Sequence, residues 1–336
     1  MSRVNRHPAL LAPGLLLCLA IAAMATAGGS LVPIVGAPII GLVAGVVLRV
    51  AFRMPSPLVP GVDSARGFVL QCAVVLLGSQ LSLTQVARVG VGSLPVMLGT
   101  LVACLAMAYL VGRRLGIDSD LCTLIGVGTA ICGASAIAAV SPVIRARSNQ
   151  IAYAVSTIFG FNIVAVLVFP PLGHALGMNQ QAFGLFAGTA VNDTSSVVAA
   201  ASVYGHSATE HAVVIKLVRT LMIIPICLAL AALVRRRDAR ADGGQTGTRL
   251  HLHTLVPWFL VGFLLMAAAN SGKLVPTAAH PALAQLSLFG ITTALAAIGL
   301  STDLAELRRT GSRPLLLGLI LWVTVSVTSL LLQWAT

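Results

Sequence analysis

Five polar residues, Asn192, Asp193, Thr194, Ser195 and Ser196, stand in an unbroken row inside the otherwise apolar stretch 186–200. A carboxylate in a membrane segment is costly and points to a path for ions or solutes. Five consecutive side chains cannot share one face of a helix, because residues on one face recur every three or four positions. The row therefore predicts a locally broken helix beside a hydrated cavity. Such a break exposes N–H groups on one half-helix and carbonyls on the other, and both bind ions and solutes. Asp193 would carry a coupling ion or close a structural ion pair. The expected partners lie in the next segment, where Lys216 and Arg219 are three apart and so share a helical face. Lys216 has the alternative of snorkelling to the interface. Arg219 lies deeper, roughly two turns or more from the surface. Two cations facing one carboxylate leave one positive charge, which beside helix N-termini would attract an anion.

The polar row has a relative within the chain. GTAICGASAIAAV at 128–140 aligns with GTAVNDTSSVVAA at 188–200, with five identities. Gly128, Thr129 and Ser135 match Gly188, Thr189 and Ser195, and Cys132 stands where Asn192 does. Small residues let helices approach closely, which is the packing explanation for both stretches. The functional explanation places Gly128, Thr129, Cys132, Ser135, Gly188 and Thr189 with the polar row around one site. A second similarity joins 76–99 to 297–318, pairing Gly78 with Gly299, Arg88 with Arg309 and Gly90 with Gly311. Inverted repeats of this kind mark secondary transporters.

These residues need elements that hold them at membrane depth. The chain of 336 residues is 57% hydrophobic and only 9% charged, with a mean hydropathy of +0.97. Eleven apolar segments are legible, at 10–27, 31–50, 67–83, 91–111, 121–140, 151–170, 183–203, 213–234, 254–269, 286–301 and 314–334. Each is long enough to cross a bilayer, or nearly so. The expected fold is all-α: a polytopic membrane protein of about eleven segments, with inverted repeats and discontinuous helices, forming one membrane domain over 1–336. Residues 1–29 resemble a signal peptide but read better as a first membrane helix, because more spans follow directly.

The net charge of +12 is a membrane pattern and excludes nucleic acid as a partner, since the arginines cluster in short loops between apolar runs. With the N-terminus cytoplasmic and eleven crossings, 15 basic residues fall inside and 4 outside. Arg145 and Arg147 are on the wrong side in that arrangement. If 121–140 and 183–203 instead dip in and return, the count becomes 17 against 2. Re-entrant backbone is allowed only where protein or a watery cavity surrounds it. Both arrangements stay open, with eleven crossings slightly preferred for segment length. The six cysteines form no CxxC pair and read as buried thiols. Gln71, Asn162 and Asn270 read as interhelical hydrogen-bond partners. Asp303 and Glu306, beside Arg308 and Arg309, read as an interfacial loop. No metal-ligand spacing, phosphate loop or nucleophile motif is visible, so neither an enzyme nor an ATP-driven pump is expected.

GTAICGASAIAAVSPVI at 128–144, AGTAVNDTSSVVAA at 187–200 and KLVRTLMIIP at 216–225 together resemble the bacterial YeiH-type family, whose name attributes sulfate export to its members. The resemblance runs from the third segment to the end. It implies a multi-pass inner-membrane transporter in the broad superfamily of cation–proton antiporters and bile-acid-type symporters, with inverted repeats and crossing discontinuous helices. Asn192-Asp193 also resembles the Asn-Asp pair of sodium/proton antiporters, where the carboxylate carries the ion or proton. The family often carries His where this chain has Asn192, a departure from its pattern. The expected function is secondary-active transport of a small anion, with the bilayer and that anion as partners, a coupling proton or sodium ion, no cofactor, and a homo-oligomer left open. The alternatives are a cation–proton antiporter using Asp193 and a membrane scaffold or sensor without flux. An anion requirement separates the first two.

Overall fold

The computed structural model describes residues 8–31, 36–52, 54–241, 258–301 and 312–335, and holds helices and no strand among them. Seven of the described helices are long and apolar enough to cross a bilayer. The basic residues Arg3, Arg6, Arg53, Arg249, Arg308 and Arg309 lie outside the described residues, as do Asp303, Glu306 and Gly311. The chain divides into two compact units, each assembled from early and late parts of the sequence.

The first unit takes residues 1–87 and 258–304. Its helices are α1 (Pro8–Leu31), α2 (Gly36–Ala51), α3 (Ser56–Gln80), then, continuing past the second unit, a helix over Trp258–Ser271 and another over His280–Ser301. Gly45 of α2 and Gly299 of the last of these stand backbone to backbone: a Cβ on Gly45 would lie 3.1 Å from Gly299 Cα. Only glycine permits that approach, and the small-residue pattern of membrane helices is the reason it appears here. Gln71 accepts from the Trp258 indole at 2.7 Å, and Asn270 donates to the Leu81 carbonyl at 3.1 Å. Both polar residues thus serve helix–helix contacts, as their isolation in apolar runs predicts.

The second unit takes residues 88–257 and 305–336. It contains most of α4 (Leu83–Arg114), then α5 (Ser119–Ala130), α6 (Ala134–Ile144), α7 (Ser148–Ala175), α8 (Gln180–Ala190), α9 (Thr194–Tyr204), α10 (His206–Thr220) and α11 (Ile223–Ala241). Continuing the numbering, α12 is Trp258–Ser271, α13 is His280–Ser301 and α14 is Ser312–Ala335.

The fifth and seventh apolar segments fold as helical hairpins, against the slightly preferred reading of each as a single crossing and in the form that the re-entrant alternative requires. In the first, Asp118 caps α5 by accepting from Asp120 N at 2.9 Å, and also accepts from the Gln150 side chain at 2.9 Å. Gln150 lies only six residues beyond the end of α6, so α6 has returned to where α5 began. A straight run from Asp118 to Ile144 would span about 39 Å at 1.5 Å per residue, too far to close that bond. In the second hairpin, Gln180 at the start of α8 accepts from Ser207 N at 3.0 Å, just past the end of α9. The Phe183 and Tyr204 rings stack there with centroids 3.8 Å apart. Gly205, with φ 151° and ψ 168°, then turns the chain directly into α10, a conformation essentially reserved for glycine.

The two hairpin bases lie at opposite ends of the 28-residue α7. Their arms are 11 or 12 residues long, about 17 Å at the helical rise, roughly half of a 30 Å hydrocarbon core. Both tips therefore meet near the middle of α7. Opposite entry also makes the repeated GTA stretches run in opposed directions, as an inverted repeat requires. Arg145 and Arg147 come to the same end as Arg113 and Arg114.

Candidate functional site

Each hairpin arm ends in the same way. Gly-Thr-Ala closes α5 at Ala130 and α8 at Ala190, and three residues then turn the chain. Gly128 lies against Ile137 of its own hairpin and Ile158 of α7, while Gly188 lies against Ile215 and Ala212 of α10. These glycines thin the arms so that they pack closely, the structural explanation for that part of the motif. Thr189 has its hydroxyl turned away from the tip. It pairs with Ser329 of α14 at 2.7 Å and with the Leu185 carbonyl at 2.7 Å. Thr129 and Cys132 are buried.

The turn leaves carbonyls at the C-termini of α5 and α8 without helical partners. Lys216 and Arg219 supply them. The Lys216 ammonium donates to Ile131 O at 2.7 Å and Val191 O at 2.9 Å, one carbonyl from each tip. Arg219 Nε donates to Ala130 O at 2.6 Å, and its NH1 donates to Thr189 O, again one from each tip. Both side chains are buried, at 0% and 1% exposure, so Lys216 does not snorkel. Their shared face on α10, predicted from the spacing, is what clamps the two hairpins together.

Two expectations are corrected here. Neither cation forms a salt bridge with Asp193, and the cations sit at helix C-termini rather than N-termini. The physical reason is that a cation at a helix C-terminus meets about half a negative charge and a set of unpaired carbonyls, which satisfies it without a carboxylate. Asp193 turns instead to its own helix. It is the N-cap of α9, accepting from Ser196 N at 3.2 Å and from the Ser195 hydroxyl. Asp and Ser are preferred at such ends for this reason.

The start of α6 is built differently. Its N-cap is Gly133, at φ 69° and ψ −130°, with no side chain to cap the helix. Gly133 stands against Asp193: a Cβ there would lie 3.1 Å from Asp193 Cβ. Ser135 is exposed, and Asp193, Thr194 and Ser195 are half-buried. The N-terminal ends of α6 and α9 thus form the accessible side of the tips, with the two cations behind them. Asn192 N donates to Asn162 Oδ1 of α7 at 3.1 Å. Three buried polar atoms at the tips, Asn162 Nδ2, Asn192 Oδ1 and Arg219 NH2, have no hydrogen-bond partner among the described residues. A cavity of about 500 Å³ opens on the far side of α5, lined by Ala108, Tyr109, Arg113, Cys122 and Ile226 among others, and contains none of the tip residues.

Residues 13–318 match the family described as conserved hypothetical protein 698. A UPF0324 membrane protein of Streptococcus pyogenes serotype M6 is 43% identical over 96% of each chain. Another, from Streptococcus pneumoniae strain R6, is 40% identical over 95% of this chain and 96% of its own. A third, from Streptococcus agalactiae serotype V, is 38% identical over 96% of both. The chain belongs to the YeiH/UPF0324 family. It is a polytopic membrane protein, as its apolar helices and its UPF0324 relatives agree.

In this UPF0324 chain the hairpin tips gather Thr129, Cys132, Ser135, Thr189 and the row Asn192–Ser196 around Lys216 and Arg219. Gly128 and Gly188 sit one turn back, in packing positions. The carbonyls of Ala130, Ile131 and Val191 are part of the constellation and carry no signal in the sequence, because every residue has a carbonyl. Ser329 was equally silent. Asn162 was visible as a polar residue in an apolar helix, and its bond to the Asn192 backbone gives that reading its content.

Proposed function

We propose that this protein is a secondary-active transporter that moves a small inorganic or organic anion, sulfate or a sulfonate first among candidates, across the bacterial inner membrane. Two opposed hairpins whose tips meet between two spans suit alternating access, in which either hairpin shields the site from its own side. The protein is not an enzyme in this reading, and its N-terminus is cytoplasmic by the distribution of basic residues.

The observation that carries the reading is the α6 N-terminus, which gets no side-chain cap from Gly133, is exposed at Ser135 and is backed by two buried cations. Taking about half a charge for each helix end, the four ends, Lys216, Arg219 and Asp193 together leave about +1. An anion oxygen at the Gly133–Ser135 turn would do for α6 what the Asp193 carboxylate does for α9. Ser135 and Ser195 would hydrogen-bond the solute, and Thr194 would complete the wall. Lys216 and Arg219 would supply field more than direct contact, because two of the three Lys216 donors and the Arg219 Nε and Nη1 are engaged by the tips.

A second reading, a cation–proton antiporter, is favoured by Asp193 itself. It is half-buried at a hairpin tip and held by its own turn rather than by a salt bridge. Radiolabelled sulfate counterflow in proteoliposomes separates the two, because it needs no knowledge of the coupling ion. Exchange by the wild type that is lost in Arg219→Gln supports the anion transporter. Absence of sulfate or sulfonate exchange, with pH- or sodium-dependent flux abolished in Asp193→Asn, moves the assignment to the antiporter. Neither kind of flux would leave a scaffold or sensor.

A further inference from the structure

The carbonyls of Ile131 and Val191 belong to the tips of two hairpins that enter from opposite ends of α7, and one atom bridges them. We propose that Lys216 is a resident cation: its ammonium fills the place between the tips where a coupling sodium ion would otherwise sit, and the protein binds its solute without sodium. The inference rests on the transporter reading for its meaning, and on the geometry alone for its content.

Unwound backbone carbonyls and half-helix C-termini are the groups with which broken-helix transporters hold sodium. Here the corresponding oxygens are already taken, at 2.7 and 2.9 Å, by an ammonium that brings one positive charge and up to three donors. Lys216 is fully buried and makes no salt bridge among the described residues, so the two half-helix ends, which Arg219 also uses, supply part of its counter-charge. Ala130 O, one residue back on the first arm, and Thr189 O, two residues back on the second, are taken by Arg219. A sodium ion entering between the tips would find its oxygens occupied and two cations beside it.

The arrangement also explains why an amine rather than a metal suits a site built for an anion. A resident ammonium stays through the cycle, so the positive field does not depend on an ion gradient. A side chain on α10 also ties the two hairpins to one helix, which a free ion does not.

The test uses the full-length protein in nanodiscs, with 22Na⁺ binding and thermal unfolding in sodium, potassium and choline chloride at matched ionic strength. For the wild type the expected result is no saturable 22Na⁺ binding and the same Tm in all three salts. Lys216→Ala should melt lower in choline, gain saturable 22Na⁺ binding, and recover several degrees with sodium or with a small alkylammonium. Saturable sodium binding by the wild type overturns the proposal. A folded Lys216→Ala that neither sodium nor alkylammonium stabilises overturns it too. If that variant does not fold, the wild-type measurement and Lys216→Met decide: the neutral chain fills the space, so Lys216→Met should recover its Tm with neither cation, and recovery with sodium would count against a filled cation place. None of these readouts uses flux, so failed sulfate counterflow leaves them intact, and failed sodium rescue leaves the transport assignment intact.

Discussion

The hairpins α5–α6 and α8–α9 share a plan and differ at one turn. Both first arms end in Gly-Thr-Ala, both surrender two carbonyls to the cations of α10, and both reach about the middle of α7. At the second tip Asp193 caps α9, the Asn192 backbone is tied to Asn162, and Thr189 is tied to Ser329, while Asn192 Oδ1 has no partner among the described residues. At the first tip Cys132 and Gly133 stand where Asn192 and Asp193 do, and α6 starts without a side-chain cap. The shared part, small residues and carbonyls, is what closing a hairpin inside a membrane demands. The unshared part is where the proposed anion would sit. Similarity between the repeats thus points to structure, and the anion proposal rests on their difference.

The largest effect should come from removing what the hairpins share. Arg219→Ala strands the carbonyls of Ala130 and Thr189, each in a buried setting. A buried polar group left without its partner costs about 1–3 kcal/mol, so the two together should lower Tm markedly. Counterflow should vanish in the protein that remains folded. Near-wild-type exchange with an unchanged melting curve would mean that Arg219 does not clamp the tips.

Next in size is a change that erases the difference between the tips. Gly133→Asp places a carboxylate at the start of α6, against Asp193, and takes the local charge from about +1 to about zero. The positive φ adds about 1–2 kcal/mol of backbone strain, and the new Cβ meets Asp193 Cβ at 3.1 Å. Gly133→Asn carries the same strain and the same contact without the charge. Uptake of an anion should fall at least tenfold further in Gly133→Asp than in Gly133→Asn, read as KM from concentration-dependent counterflow. Equal losses in the two variants would reduce the turn to a purely steric role.

How much of this was legible beforehand follows from the physics of each signal. The polar row and the Lys216–Arg219 face announce themselves, because polar and charged groups are rare in lipid. The hairpins were ambiguous: a re-entrant pair of 11-residue arms and a single span use the same length of apolar chain. Segment length favours single crossings slightly, whereas the stray arginines at 145 and 147 and a repeat that becomes inverted only if both segments turn back point to the hairpins. The cation–carbonyl bonds had no sequence signature, which is why an ion pair with Asp193 was the natural expectation. The similarity of 76–99 to 297–318 remains partly outside the described residues, since its Arg309 and Gly311 lie there.

Asp193→Asn should be milder than either tip variant in stability. Asn caps helices about as well as Asp, so Tm should change little while the local charge rises by one unit. Counterflow, which needs no driving ion, should persist; net uptake driven by a pH gradient should be lost. Loss of both activities with an intact fold would show that the carboxylate serves solute binding and not coupling.

The smallest effect distinguishes two serines that the repeat makes equivalent. Ser135 is exposed at the uncapped tip, whereas the Ser195 hydroxyl already donates to Asp193. Removing one hydrogen bond worth about 1 kcal/mol weakens binding about fivefold. Ser135→Ala should therefore raise KM for the anion by about that factor and leave the pH dependence of transport alone. Ser195→Ala removes a hydroxyl already engaged by the carboxylate, so it should raise KM less than Ser135→Ala does. If the two variants behaved alike, the solute would be meeting both tips equally, and the missing cap on α6 would lose its meaning as the place where the anion sits.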